Sequence, residues 1–375
     1  MSRVLVVNAG SSSLKLRVVD ERDEVVASMD LPAPLGTLDR AAVSSALADI
    51  GSVDAVGHRV VHGGTTYIGP VRVDAEVIRR LEALTDLAPL HQPKSLAGLR
   101  IVGELLPDVP AVACFDTAFH ATMPPAATTY ALPPEWRRRW DVRRFGFHGL
   151  SHAYATRRAA ELVGRPASEL RILSCHLGAG ASLAAVDRGR SVDTTMGFTP
   201  LEGLVMATRS GTVDPGLVLW LADHVGMPPA ELAATLEHRS GLLGLAGTPD
   251  MRAVLERAAA GDDPAVLARD VYVHRLVGAI GAMAAAMDGL DVLLLTGGVG
   301  ENSAEIRSRA AARLGHLGVR IDEALNADAR PDAEIGASPA TRSGAQRVPS
   351  DAPRVLVIAA REDLQIAHEV RTVLG

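Results

Sequence analysis

Two stretches of this chain are variations on one pattern, and that repetition limits the folds open to it. Residues 4–16 read VLVVNAGSSSLKL and residues 172–184 read ILSCHLGAGASLA. Each is an apolar run ending in a polar residue, Asn8 or His176. A glycine follows two places on, Gly10 or Gly178, then small residues and a second apolar run. Short apolar runs joined by such a turn read as β-hairpins. Two unrelated hairpins would share as much. A duplicated domain would add two similar lobes, each presenting its glycine-rich hairpin to a shared cleft. The length of 375 residues is too great for one core and suits two domains.

Other segments fill in the class. Strand signals cover residues 4–7, 14–19 and 25–31, and short buried runs cover 109–115, 171–175, 292–296 and 354–359. Helical periods cover 39–50, with Asp39 as N-cap, and 74–84, 151–163, 216–225, 265–287, 301–314 and 362–374. Strands alternating with helices predict an α/β protein. The polar, Ala/Pro/Arg-rich stretch 326–353 reads as a loop or a loose hairpin.

Composition removes several function classes. Net charge is −6 and aromatics are 3%, which argues against a dedicated nucleic-acid binder. Cys114 and Cys175 are the only cysteines and lie in apolar runs, so they read as reduced, buried thiols of a cytosolic chain. The N-terminus enters a strand at once and leaves no room for a signal peptide. The longest apolar stretch, 276–287, is too short to span a bilayer. A soluble, cytoplasmic protein with no membrane partner is expected. Lys15 and Lys94 are the only lysines among 38 cationic residues. Coding bias explains that, yet it draws the eye to any lysine that remains.

The chemistry-bearing residues gather in turns. Segment 7–15, VNAGSSSLK, ends a buried strand with small residues, hydroxyls and one cation, which serves equally as a tight turn or a phosphate cradle. No Walker pattern and no strand-to-helix GxGxxG occurs, so any phosphate must be bound by hairpins. HLGAGAS (176–182) repeats the small-residue logic. TGGVGEN (296–302) follows a buried strand and opens a helix, a place for a flat group or an anion. Arg59, in GHRVVHGG, and Arg209, in ATRSGTVDPG, are planar donors suited to carboxylate or phosphate; each alone serves as well in a structural ion pair. His58, His62, His91, His120, His148, His152 and His176 sit in motif-like sequence without zinc spacing. Asp116 ends a buried strand, as a catalytic carboxylate or an N-cap. Glu362 starts the last helix, as a cap or a Mg²⁺ ligand.

Taken together, VNAGSSSLK, GHRVVHGG, APLHQP, FDTAFHATMPP, RFGFHGLSH, HLGAGAS, TTMGFTPLEGL, TRSGTVDPG, TPDMR, TGGVGEN and RED resemble the acetate kinase family, of the acetate and sugar kinase/Hsp70/actin superfamily. The motifs run in the family's order from residue 4 to about 363. The resemblance implies an α/β fold of two ribonuclease-H-like, actin-like ATPase lobes around a central cleft. The first would be residues 1–120 plus 363–375, and the second 121–362, with a homodimer as the assembly. It implies transfer of a phosphoryl group from ATP to acetate, giving acetyl phosphate and ADP, with Mg²⁺ or Mn²⁺; propionate or butyrate would be alternative acceptors. Asn8 and Glu362 would bind the metal, and Ser11, Ser12, Ser13 and Lys15 would face the phosphates. Arg59 and Arg209 would bracket acetate and the migrating phosphoryl group across the cleft. Asp116 would orient the centre, and His148, with His91 and His176, would bond phosphoryl oxygens. Val61, Leu90, Phe147 and Pro200 match the acetate-methyl pocket, with His91 beside them. His176, Leu177, Gly178, Ala179 and Gly180, then Asp250, Met251 and Arg252, then Gly298, Val299, Gly300, Glu301 and Asn302 would hold the nucleotide. The chain departs from the family in three places: Ala179 replaces an Asn, Gln92 and Lys94 alter the PLHNPPN segment, and the piece after Gly64 is shorter.

The acceptor class that the resemblance implies fits the charges, although Asp116 alone could serve either acceptor. A carboxylate is already ionised at neutral pH and needs no strong general base, whereas a sugar hydroxyl would rely on an Asp base. Two arginines in motif positions favour the carboxylate.

Overall fold

The computed structural model describes residues 2–10, 13–33, 38–85, 92–337 and 352–375. Two compact units divide the chain, Met1–Ala121 with Phe147–Tyr154 and Arg361–Gly375 in the first, and Thr122–Gly146 with Ala155–Ala360 in the second.

The first unit is built on a six-stranded sheet of β1 (Arg3–Ala9), β2 (Ser13–Asp20), β3 (Val25–Pro32), β4 (Ala55–Val60), β5 (Val71–Arg72) and β6 (Ala111–Phe115), in the order β3-β2-β1-β4-β6-β5. β1, β4 and β6 run parallel to one another, while the β1–β2–β3 meander and the short edge strand β5 are antiparallel. Successive side chains of a strand face opposite ways. Leu5 and Val7 therefore share one core with Val43, Leu47 and Ile50 of the helix Arg40–Ile50 and Val102 of the helix Gln92–Leu105. Against β4 packs the last helix, Glu362–Leu374, and it comes close. A Cβ at Gly57 would lie 2.4 Å from Ile366 Cγ2 and 2.8 Å from Val370 Cγ2.

The second unit holds β7 (Arg171–Leu177), β8 (Ala181–Asp187), β9 (Arg190–Thr194), β10 (Val292–Thr296), β11 (Ala333–Glu334) and β12 (Arg354–Val357), in the order β11-β12-β10-β7-β8-β9. Strand for strand this is the first sheet again, each number raised by six and each pairing of the same sense. The repeated hairpin thus marks a repeated six-stranded architecture, as the duplicated-domain reading expects. The two turns differ by one residue. Ala9 pairs with Leu14 in the first hairpin, and Leu177 pairs with Ala181 in the second. Lys15, opposite Asn8, consequently has Ser182, opposite His176, as its counterpart.

Several elements escape the sequence reading. β4 mixes Gly, His and Arg into a six-residue strand, yet it lies between two parallel neighbours with none of its side chains exposed. The helix Gln92–Leu105 opens on Pro93, whose missing N–H costs nothing in a first turn. The helix expected over 301–314 breaks at Ser303, which caps Ala304–Ala311 by accepting from the Ile306 N–H at 3.3 Å. Residues 147–154, placed in the second lobe from sequence, belong to the first unit. Gly149 N–H donates to the Asp116 carbonyl at 2.8 Å, and His120 Nε2 meets the Phe147 carbonyl at 3.0 Å. Both cysteines are free and buried, and among the described residues no helix is long and apolar enough to cross a membrane.

The close approach at Gly57 is open to test. Gly57→Ala is expected to lower stability by about 1–3 kcal/mol through overpacking against Ile366 and Val370, read as a fall in the urea midpoint at unchanged m-value. An unchanged midpoint would show that the last helix shifts without cost.

Candidate active site

Three parallel strands of the first unit end side by side, and their carboxyl ends carry the charged residues. In open α/β sheets ligands gather at that edge. Asn8 stands near the end of β1, Arg59 near the end of β4 and Asp116 just past β6, where its N–H donates to the Val60 carbonyl at 3.1 Å. Arg59 reaches Asp116 in a bidentate pair, Nε to Oδ1 at 3.0 Å and Nη2 to Oδ2 at 2.6 Å, and donates from Nη1 to Asn8 Oδ1 at 3.1 Å. Glu362, the first residue of the last helix, completes the group. Its Oε2 accepts from Asn8 Nδ2 at 3.4 Å and lies 3.8 Å from Arg59 Nε. Asp116 is 3% exposed and Arg59 19%, so the charges are largely withdrawn from water. Burial acts to lower the Arg59 pKa, but Asp116 and Glu362 outweigh it and raise it above the ordinary value. Burial raises the Asp116 carboxyl; Arg59 opposes that rise and Glu362 adds to it. Of five guanidinium N–H donors, three are held in these bonds and two lie outside them.

The first unit carries other expected residues as well. His148 is half-buried and takes φ +57°, an uncommon conformation for a residue with a side chain. The next residue, Gly149, tolerates no Cβ, which would fall 2.3 Å from the Asp116 carbonyl oxygen. Phe147 is buried and meets the His62 ring edge-on at 5.6 Å, and Val61 is half-buried just beyond β4. Ser13 opens β2, its carbonyl accepting from Gly10 N–H at 2.8 Å, and Lys15 is exposed on that strand. Ser11, Ser12, Leu90 and His91 lie outside the described residues.

Arg209 belongs to the second unit. Its Nε lies 3.3 Å from Glu237 Oε2, and its Nη1 donates to the Pro200 carbonyl at 3.2 Å and lies 3.8 Å from Met206 Sδ. Glu237 is 13% exposed and was invisible in the sequence, because it lies inside an ordinary helix, Pro229–His238. Nothing in its local pattern marks it.

The same unit contains a pocket of about 530 Å³. Gly178, Ala179, Asp250, Met251, Arg252, Gly298, Val299 and Asn302 line it, all expected nucleotide contacts. Ala207, Leu242, Pro249, Leu255, Tyr272 and Ser303 were not foreseen. Leucines and a buried tyrosine read as core in a sequence, and only folding reveals which face a cavity. Gly297, at φ +77°, lets two glycine turns touch: a Cβ there would sit 2.9 Å from the Leu177 carbonyl carbon and 3.0 Å from the Gly178 nitrogen. Asp250 caps the helix Met251–Ala259 through the Arg252 N–H at 3.0 Å, and its carboxylate pairs with the Arg252 side chain at 3.2 Å, which holds its pKa below the ordinary value. Apolar walls with glycine edges and a few polar groups suit a planar ring with a polar tail. His176, Leu177, Gly180, Gly300 and Glu301 stand in the same turns without lining the pocket. Leu177 is buried, Gly180 O accepts from Gly178 N–H at 2.9 Å, and the Gly300 carbonyl accepts from Arg307 at 2.9 Å. Glu301 turns its Oε1 to the backbone N–H groups of Gly297 and Ala360.

Two similar sheets of this order, with charged strand ends in one and glycine turns around a pocket in the other, define an actin-like ATPase fold. The acetokinase family model matches residues 28–367, so the chain belongs to that family. It is 49% identical over 332 residues to the acetate kinase of Synechococcus sp. (strain JA-2-3B'a(2-13)), covering 88% of this chain and 79% of that one. To the acetate kinase of Bacillus subtilis (strain 168) it is 39% identical, with 99% of each chain covered. Among solved structures, Porphyromonas gingivalis acetate kinase superposes with a TM-score of 0.89 at 34% identity, and a propionate kinase from Francisella tularensis subsp. tularensis SCHU S4 with 0.90 at 33%; each comparison covers 100% of both chains.

The histidines divide by burial. His58, His62 and His120 are at most 2% exposed, and burial lowers each to about 4; for His120 a bond to the Phe147 carbonyl acts the other way. They are neutral core residues at pH 7, while His148 and His176 remain half-buried. Because their folded pKa lies below the unfolded value, the unfolded chain gains protons between about pH 6.5 and 4 that the folded chain refuses. Stability is expected to fall as pH drops through that window, by at most about 3 kcal/mol each for His58 and His120. Urea midpoints at about pH 7.5, 5.5 and 4.5 check this, and a flat profile would contradict it.

Proposed function

We propose that this chain catalyses reversible transfer of the ATP γ-phosphoryl group to acetate, giving acetyl phosphate and ADP. The observation that carries this reading is the occupation of Asp116. Both of its carboxylate oxygens accept from Arg59, so its charge is neutralised by a guanidinium and it is not free to serve as a base. An acceptor that arrives ionised needs no base, and that is a carboxylate. What the reaction needs is two anions held together, which donors and counter-charges supply.

The two uncommitted N–H donors of Arg59 take an anionic oxygen, Asp116 fixes the guanidinium plane, and His148 donates to a phosphoryl oxygen. Val61 and Phe147 meet the acyl methyl. In the second unit Arg209, steadied by Glu237 and the Pro200 carbonyl, stabilises charge on the migrating group. The glycine-edged pocket takes the adenosine. Glu362 is a hard oxygen donor whose Oε2 accepts from Asn8 Nδ2 at 3.4 Å, and a single carboxylate suits Mg²⁺, which keeps waters and phosphate oxygens as its other ligands. Bound there, the metal would neutralise phosphate charge. Asn8 Oδ1 is engaged by Arg59, so Glu362 is the anchoring ligand.

A propionate acceptor is the second reading, favoured by the resemblance to the Francisella propionate kinase. One methylene changes the barrier by only about 1–3 kcal/mol, so the acceptors are compared directly. Purified protein with MgATP, hydroxylamine and acetate should form acetyl hydroxamate, faster than the propionate or butyrate products. Arg209→Ala should lose about 10²–10³ of that rate while ADP binding by calorimetry persists. Nucleotide binding without turnover of any acid would reject the kinase reading.

The family resemblance also implies a homodimer. The helix Pro215–Asp223 buries none of its residues, and Leu217, Leu219, Trp220 and, just beyond it, Val225 are 47–69% exposed. A second copy is its proposed cover. Light scattering should give a dimer mass for the wild type and a monomer for Leu219→Glu/Trp220→Glu; a dimeric double variant would move the interface elsewhere.

A further inference from the structure

One carboxylate oxygen in the second unit serves two segments. Glu301 Oε1 accepts from the Gly297 N–H at 2.9 Å and from the Ala360 N–H at 2.9 Å. The first donor opens the glycine turn whose Gly298 and Val299 line the pocket. The second closes a run of three amides leaving β12. Ile358 N–H donates to the Leu295 carbonyl at 2.9 Å, Ala359 N–H to Asp332 Oδ1 at 3.1 Å, and Ala360 N–H to Glu301. Two residues on, the chain reaches Glu362. We propose that Glu301 is a positioning residue that couples the nucleotide turn to the segment delivering Glu362, so that the direction of that segment depends on the conformation of the turn. Leu295 and Asp332 hold the segment but not the turn; Glu301 holds both. The residue touches no substrate in this scheme and acts through backbone donors.

This inference rests on the assignment of the pocket to the nucleotide and of Glu362 to the metal. Failure of the wild type to bind ADP by calorimetry would sink that assignment, whereas hydrogen exchange of the ligand-free protein decides the coupling itself. Glu301→Gln keeps an oxygen that can accept both N–H groups and should stay close to wild type. Glu301→Ala leaves two amides without partners, a loss worth about tenfold or more for each equilibrium it feeds. Exchange of peptides covering 297–302 and 358–361 should accelerate together by about tenfold. The ADP affinity and the Mg²⁺ concentration at half-maximal rate should both worsen by a similar factor. Glu301→Asp, too short to span both donors, provides the same comparison if the alanine variant does not fold. A purely structural role would lower the melting temperature without moving the Mg²⁺ midpoint. Acceleration confined to one peptide, an unmoved Mg²⁺ midpoint, or Glu301→Gln behaving like Glu301→Ala would each overturn the proposal.

Discussion

A guanidinium and a carboxylate, both drawn out of water at the ends of two parallel strands, determine what the first unit can do. Arg59 and Asp116 come from β4 and β6, which pair from Val56 with Ala111 to Val60 with Phe115, so their separation is set by a sheet register and not by loop chance. Two bonds of 3.0 and 2.6 Å in a fork geometry offset part of the desolvation of both groups, although burial still leaves the Asp116 carboxyl raised. Removing either partner would strand a buried charge, which costs about 3–5 kcal/mol. The pair therefore fixes the plane and direction of the guanidinium. Asn8 on the neighbouring strand takes a third donor, which leaves two N–H groups outside these bonds.

The two sheets share strand order and direction but were put to different uses at the same edge. In the first, the parallel strands end in Asn8, Arg59 and Asp116, an array of hydrogen-bonding and charged groups. In the second, β7 and β10 end in glycine turns, brought into backbone contact at Gly297, beside an apolar cavity. The hairpins diverged in the same sense. The first has an extra turn residue and a lysine opposite the strand-end amide; the second is tighter and carries a serine there. A fold that repeats its scaffold can thus present charged groups from one copy and a glycine-edged cavity from the other.

Much of this was legible beforehand, for reasons that can be named. The hairpins and buried strands announce themselves by apolar runs, and the strand-end positions of Asn8, Asp116 and the glycine turns follow from where those runs stop. Arg59 stood out because an arginine flanked by apolar residues and glycines demands a partner. β4 was missed because those same features, Gly57, His58 and Arg59, disguise a strand buried between neighbours. Glu237 and Tyr272 were missed for a different reason. Their partners, Arg209 and the pocket, are assembled by tertiary structure, and a glutamate or tyrosine within a helix carries no local mark. Glu301 carries a further role that its motif did not announce: its Oε1 accepts from the chain's own backbone at Gly297 and Ala360.

Charge accounting explains why the remaining cations matter. Asp116 and Glu362 against Arg59 leave the first cluster one negative charge in surplus, an environment hostile to acetate and to a triphosphate alike. Bringing anions there requires neutralisation by groups outside the cluster, and one exposed lysine on β2 cannot supply it. In the proposed scheme a divalent cation on Glu362 would convert that surplus into a positive field. A carboxylate that by itself repels the substrates would then be what holds the cation that attracts them. The chemistry that follows needs no proton to be removed from the acceptor, only two like charges made tolerable at bonding distance.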